Sequence, residues 1–216
     1  MDAWLQVDDA YAAQMAERIR LLSEHRDTVL KQHPDAGAAA RELLALVLSQ
    51  LAARGDFRVE EGRVLCPDGR EVRIEADRPL EILCHLVQED FCLLDKTGAE
   101  HVLIAGLLCF PASWRLDQKF LRPLGAIHRP VAEYDQGMAA RVQRLFDGVK
   151  PGRPLWRSNL LRYHDAALHQ PRAEDAPRPV VDIGSAPYLR SERQSILRLP
   201  DTGAVVFSIH TYVVAR

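Results

Sequence analysis

The hydrophobic periodicity of the chain changes at Gly55, and this change constrains the fold more than any other feature. Before it, apolar residues recur at helical spacing over residues 8–31 and again over residues 38–54. After it, short segments of alternating apolar and polar residues are separated by turn sequences. The sequence therefore predicts an N-terminal helical hairpin over residues 1–55, packed on an α+β domain over residues 56–216.

Within the second part, the predicted strands share this alternation and are bounded by Gly, Pro, Asp or Asn. They are residues 57–59, 63–66, 71–74, 90–95, 101–110, 155–163, 189–199 and 204–214. Helices are predicted over residues 113–121 and 135–149, a loop over 123–134 and a surface loop over 164–187. Residues 79–87 fit a helix or a strand, and we favour a helix followed by a strand.

Composition excludes several classes of protein. The chain has 216 residues with 47% hydrophobic and 27% charged residues, and its net charge of −2 gives no basic footprint for nucleic acid. It lacks the run of roughly 18 apolar residues that a membrane span needs, and its acidic N-terminus is unlike a signal peptide. We therefore expect a soluble, cytoplasmic protein whose four cysteines, none in a C-x-x-C pair, are reduced thiols.

The common phosphate and nucleophile motifs are missing. The sequence has no G-x-G-x-x-G, no Walker A loop, no G-x-S-x-G and no H-E-x-x-H. This disfavours nicotinamide or flavin binding in a Rossmann site, ATP binding in a P-loop, and α/β-hydrolase chemistry.

His128 is the histidine with the most informative surroundings. It follows the apolar Ile127, and Pro130 biases Arg129 away from helix, so this side of the loop is predicted to be stiff. A stiff loop can hold an imidazole with little loss of entropy. His128 is therefore either a structural histidine bonded to nearby backbone or a ligand or base. His85, His101 and His210 lie in segments with strand character and are predicted to be half-buried and hydrogen-bonded.

A second group of candidates surrounds a charged run near the C-terminus. Alternation places Arg190, Glu192 and Gln194 on one face of a strand and Arg193 on the other. The run is either an exposed edge strand or a central strand whose charges are neutralised by pairing or by an anionic ligand. Further candidates pair an aromatic ring with nearby cations. They are Trp114 with Lys119 and Arg122, and Trp156 with Arg157. Aromatic and cationic groups beside a histidine loop suit a flat apolar cofactor with acidic tails.

These segments together resemble the haem-binding subunit of the haem-dependent oxidative N-demethylases. The resemblance extends from about Tyr11 to the C-terminus, and its motifs keep their order along the chain. The matching stretches are residues 86–94, 109–114, 119–134 with its Ile-His-x-Pro-Val core, 156–159, 189–194 and 199–212.

The resemblance implies a PAS-like fold, in which a central antiparallel sheet with flanking helices cradles haem b. It implies His128 as the axial iron ligand. Arg190 and Arg193 would pair the haem propionates or fix the site. The pocket would be flanked by Lys119, Arg122, Trp114 and Trp156. Glu192 would be the catalytic residue and would orient the substrate or a ligand network. The implied reaction uses O2 to remove a methyl group from a small amine such as dimethylamine, releasing formaldehyde. Electrons would come from reductase or ferredoxin-like partner chains that carry flavin, iron–sulfur or NADPH.

The sequence also departs from the family pattern at four positions. They are Phe120 in Lys119-Phe120-Leu121, where Lys-Ile-Gly is frequent, Ala132 in place of a proline, Leu160 in place of a Trp, and His210 in place of an arginine. These departures leave the substrate open. The alternative functions are a non-catalytic PAS-like domain that senses gas, redox state or a small ligand through haem, and a subunit that binds no haem.

Overall fold

The computed structural model describes residues 4–128, 136–177, 182 and 184–216. Its helices are α1 (Tyr11–Glu24), α2 (Arg26–Val29), α3 (Gly37–Ala52), α4 (Pro79–Leu86), α5 (Leu124–Ile127) and α6 (Gln136–Gly148), with a 3₁₀ turn at Pro34–Ala36. The strands are β1 (Leu30–Gln32), β2 (Arg58–Glu60), β3 (Arg63–Leu65), β4 (Glu71–Arg73), β5 (Asp90–Thr97), β6 (Glu100–Leu107), β7 (Leu155–Ser158), β8 (Leu161–Tyr163), β9 (Tyr188–Arg198) and β10 (Val205–Ala215).

A seven-stranded antiparallel sheet organises the molecule. Its order is β1-β6-β5-β10-β9-β7, with β8 also paired to β9, and β2-β3-β4 form a separate antiparallel sheet. The longest pairing joins β9 to β10, from Val205 opposite Arg198 to Ala215 opposite Tyr188. This arrangement confirms the α+β class and the PAS-like central antiparallel sheet with flanking helices.

The central sheet separates two hydrophobic clusters because side chains alternate across each strand. Phe91, Leu93 and Val206 contribute to the larger cluster, which also contains residues from α1, α3 and α4. Cys92 and Val205, on the opposite face, contribute to a smaller cluster with residues from α5 and α6. The second face is less completely filled, and the cavity described below lies there.

One buried ion pair ties α1 to the sheet. Arg18 and Asp90 are fully buried and lie 2.6 Å apart. Asp90 also accepts hydrogen bonds from the backbone N–H groups of Cys109 and Phe110, at 2.8 and 2.7 Å. The guanidinium of Arg18 also donates to the carbonyl oxygens of Gln88 and Glu89, at 3.2 and 2.7 Å, while its Nε has no partner among the described residues. These hydrogen bonds offset most of the cost of burying the charged pair.

Two predicted elements and the placement of one histidine differ from the structure, and α5 forms within the loop predicted over residues 123–134. The helix predicted over residues 8–31 ends at Glu24, and after the short α2 the chain forms β1, which pairs with β6. Residues 113–121 form turns rather than a helix, because Ser113 and Leu121 adopt positive φ values of 65° and 60°. Residues 79–86 form α4, which confirms the helix favoured for this segment, and His85 lies on that helix and not in a strand.

Other predictions are confirmed in the described residues. The hairpin of β5 and β6, the three short strands of the separate sheet, α6 and the pair β9–β10 all form. The four cysteines are free and buried. In the part of the chain that the structure describes, no helix combines the length and apolar character needed to cross a bilayer. The division at residue 55 stays a prediction.

Candidate functional site

A cavity of about 530 Å³ lies between the second face of the central sheet and α5, α6 and the turns that follow β6. Its walls are mainly apolar, with Leu94, Leu103, Phe207 and Ile209 from the sheet and Phe146 from α6. This volume and this mixture of apolar walls with few polar groups are typical of sites for cofactors and small molecules.

His128 lines this cavity, at the C-terminal end of α5. Its Nδ1 lies 2.9 Å from the carbonyl oxygen of Leu124. Because a carbonyl only accepts hydrogen bonds, Nδ1 carries the proton and Nε2 carries the lone pair in the neutral ring. Burial lowers the pKa of His128, and the nearby cations Lys119 and Arg157 lower it further. The imidazole is therefore neutral near pH 7, which is the form that ligates metals.

Lys119 fixes the segment that carries this histidine. Its buried ammonium donates to the carbonyl of Ile127 at 2.5 Å and to Glu174 at 2.5 Å. The hydrogen bond from Lys119 lowers the pKa of Glu174. Arg122 lies outside the cavity lining, half-exposed and 3.5 Å from the same carboxylate. Lys119 and Glu174 thus join the α5 segment to the loop that follows β8.

Glu192 lies on β9, faces the cavity and is buried. Its carboxylate accepts hydrogen bonds from Gln194 at 2.9 Å and from Asn159 at 3.2 Å. Arg157 in turn donates to Gln194 at 2.9 Å. This chain of hydrogen bonds holds the carboxylate at the cavity wall and connects it to a cation on β7.

Arg190 and Arg193 lie outside the cavity lining. Arg190 is fully buried and donates to the carbonyl oxygens of Phe110 and Leu168, at 2.7 and 2.9 Å, with Glu192 3.6 Å away. Arg193 stacks on Trp156, 4.0 Å from the ring centroid. The exposed-edge interpretation of this run is wrong, because β9 lies between β10 and β7 and Arg190 and Glu192 are buried.

The structure therefore brings five of the sequence candidates to one cavity: Trp114, Lys119, His128, Trp156 and Glu192. Arg157, which the sequence pairs with Trp156, lines the cavity as well. The structure adds Arg172 and Glu174, which the sequence does not indicate as site residues. Nothing local marks Arg172 or Glu174, because their place depends on how a long loop returns to the turns after β6. Pro130 and Ala132, which bear on the stiffness of the histidine loop, lie outside the described residues.

On the opposite face of the sheet, His210 belongs to a different polar cluster. It is 1% exposed, with Nδ1 3.2 Å from Glu89 and Nε2 3.1 Å from Asp8. Burial alone would lower the pKa of His210, but the hydrogen bonds and charges of Asp8 and Glu89 raise it to about 9. A cation is therefore kept at the position where the family pattern has an arginine.

A PAS-like α+β sheet with one neutral histidine at an apolar cavity defines a class of domain that binds a flat cofactor or small ligand. The family model described as haem-dependent oxidative N-demethylase, alpha subunit-like, matches residues 1–215. The chain belongs to this family, which confirms the resemblance drawn from its motifs and indicates haem-dependent oxidoreductase chemistry at the family level. The alpha-subunit description also indicates assembly with other subunits.

Proposed function

We propose that the cavity binds haem b with His128 as the axial iron ligand, and that the protein removes a methyl group oxidatively from a small secondary or tertiary amine. Formaldehyde is the second product. The observation that carries the proposal is the neutral imidazole of His128 at an apolar cavity of about 530 Å³, with its Nδ1 donating to Leu124.

The residues of the cavity fit a haem on three counts. The apolar walls suit the faces of a porphyrin, Nε2 of His128 is a suitable iron donor, and cations are available for the two carboxylates. Arg157 and Arg172 line the cavity, whereas Arg190 lies outside its lining. Arg157 donates its Nε to Gln194, and one amino group of Arg172 donates to the carbonyl oxygens of Ala173 and Ala176, so each guanidinium keeps further N–H groups for an anion. We therefore expect Arg157 and Arg172 to receive the propionates, with Arg193 acting indirectly by holding Trp156.

The haem, when bound, supplies the oxygen activation that amino-acid side chains lack. The chain provides orientation and exclusion of water. Glu192 presents an anionic oxygen to the cationic amine and so directs a methyl group toward the cofactor. Asn159 and Gln194 keep that carboxylate in place. Lys119 holds the backbone beside His128, and Trp114 closes the cavity wall next to it. The electrons come from a reductase or ferredoxin-like partner chain.

A titration with haemin, followed at the Soret band, tests the cofactor assignment. The wild-type protein should give a stoichiometric, shifted band, and His128→Ala should weaken or move it. His85→Ala is the matched control, because His85 also has a pKa lowered by burial but lies on α4, away from the cavity. A missing band in the wild type, or equal spectra for the three proteins, would refute ligation by His128.

Formation of formaldehyde from dimethylamine, with a reductant and O2, tests the reaction. Product formation that depends on haem supports demethylation. A protein that binds haem and CO but releases no formaldehyde from a panel of methylamines is a sensor or binding domain instead.

A further inference from the structure

The segment from α6 to β8 carries six cations that make no ion pair with any described residue. They are Arg141, Arg144, Lys150, Arg153, Arg157 and Arg162. Residues 136–165 contain only two acidic residues, so this segment has a net charge of +4 in a chain of −2. Between residues 4 and 128, by contrast, twelve of the fifteen Lys and Arg residues are paired with a carboxylate.

Among the described residues, the same segment holds most of the large apolar side chains that are exposed to solvent. Leu145, Leu155, Trp156, Leu160 and Leu161 are 40–65% exposed. All four residues of β7 are exposed, and β7 is the last strand of the central sheet. We call the exposed surface of α6, β7 and β8, residues 136–163, the β7–α6 face. Exposed large apolar side chains together with unpaired cations in one segment favour a surface that binds a protein.

The β7–α6 face is also the rim of the cavity. Leu145, Leu155, Trp156 and Arg157 contribute both to this surface and to the cavity lining. A protein bound to this face would therefore lie directly against the proposed cofactor site.

We propose that the β7–α6 face docks an acidic electron-donor protein, an inference that rests on the proposed haem function. Arg157 is expected to receive a haem propionate, and the other five unpaired cations give charge complementarity to an acidic partner and would steer it toward the cavity. A second copy of this chain fits less well, because the face carries these cations and only one carboxylate, Asp147, so two copies of it repel each other. In each encounter the donor's one-electron centre is oxidised and the cavity-bound ferric iron is reduced to ferrous iron, with no bond formed or broken.

The test measures electron transfer from a plant-type [2Fe–2S] ferredoxin, reduced beforehand, to the haem-loaded protein by stopped flow. Arg144→Glu with Arg153→Glu reverses two exposed charges on the face. Arg41→Glu with Arg73→Glu is the matched control, since these residues are exposed, unpaired among the described residues and placed on α3 and β4. Leu160→Ser removes the most exposed apolar side chain, which is 65% exposed.

The face variant should lose about tenfold or more in second-order rate constant at low salt, and the difference should shrink as salt rises. Leu160→Ser should be slower at every salt concentration. The control should keep the wild-type rate, and dithionite should reduce all variants equally. Equal effects of the two charge reversals would overturn the proposal. A second outcome would also overturn it. Sedimentation would show that the wild-type protein is a dimer and that Leu160→Ser dissociates it, while the rate constant for electron transfer from ferredoxin stays unchanged. Failure of the proposed function is separate, because it appears as a missing Soret band before any donor is added.

Discussion

Replacement of His210 by Gln tests whether the second polar cluster holds a charged imidazole. The folded-state pKa is about 9, and the ordinary value is 6.5. Because the group is 1% exposed, solvent screening is small. A difference of this size corresponds to about 3 kcal/mol in the free energy of unfolding. Because the pKa of His210 is higher in the folded state than in the unfolded state, its protonation stabilises the folded state. This stabilisation is fully present below pH 6.5 and is lost as the pH rises to about 9.

The assay is urea unfolding of both proteins between pH 6 and pH 9.5. We compare the difference between wild type and variant, so that the titration of other groups cancels. The variant should be less stable by about 3 kcal/mol at pH 6, since it leaves the buried Glu89 without its cation. The difference should close toward pH 9.5. Glu89→Gln should move the transition to lower pH, because one of the two carboxylates that raise the pKa of His210 is gone. A difference that stays constant, or grows with pH, would refute the charge assignment.

Three further changes probe the packing and the cavity. Arg18→Met should cost about 3–5 kcal/mol by leaving Asp90 buried without its cation, and the added change Asp90→Asn should recover part of that loss; chemical unfolding measures both. Gly106→Ala should lower the free energy of unfolding by about 1–3 kcal/mol, because a Cβ there would lie 2.6 Å from the Leu116 side chain. Adding Leu116→Ala should relieve this clash, and a double variant whose loss of stability equals the sum of the two single losses would contradict this reason. Glu192→Gln should leave the affinity for haemin within about twofold of the wild type. It should lower the rate of formaldehyde formation by about 100-fold or more, as loss of a positioned carboxylate does. Weaker binding of haemin to this variant would instead identify Glu192 as a residue that binds the cofactor.

Most strands of the central sheet could be predicted from the sequence, because alternation and turn residues are local signals. The hairpin of β5 and β6 and the pairing of β9 with β10 follow from such signals. Leu30 was misread because it continues the helical spacing of α1, and only the free edge of β6 draws it into a strand. The turns over residues 113–121 could not be predicted, because Ser113 adopts a positive φ where its N–H donates to the carbonyl of the distant Gln170, and no local propensity indicates this.

The candidate site could be predicted only in part, because much of it also depends on tertiary contacts. His128, Lys119 and Glu192 lie in motifs of the family and could be selected residue by residue. The pairing of Lys119 with Glu174 joins residues 55 positions apart, and the hydrogen bond from Arg157 to Gln194 crosses two strands. Such contacts depend on the register of β7 and on the path of a long loop, neither of which a periodic pattern encodes.

Strand β9 serves both faces of the sheet at once. Glu192 and Gln194 face the cavity, while Arg193, opposite His210 in the register, faces the other side. Insertion or deletion of one residue in β9 would exchange the two sets of side chains. It would bring an arginine to the cavity and a carboxylate to the buried polar cluster of Asp8, Glu89 and His210. Sequence change along this strand is therefore restricted to substitutions and to length changes of two residues, whatever substrate the cavity comes to accept.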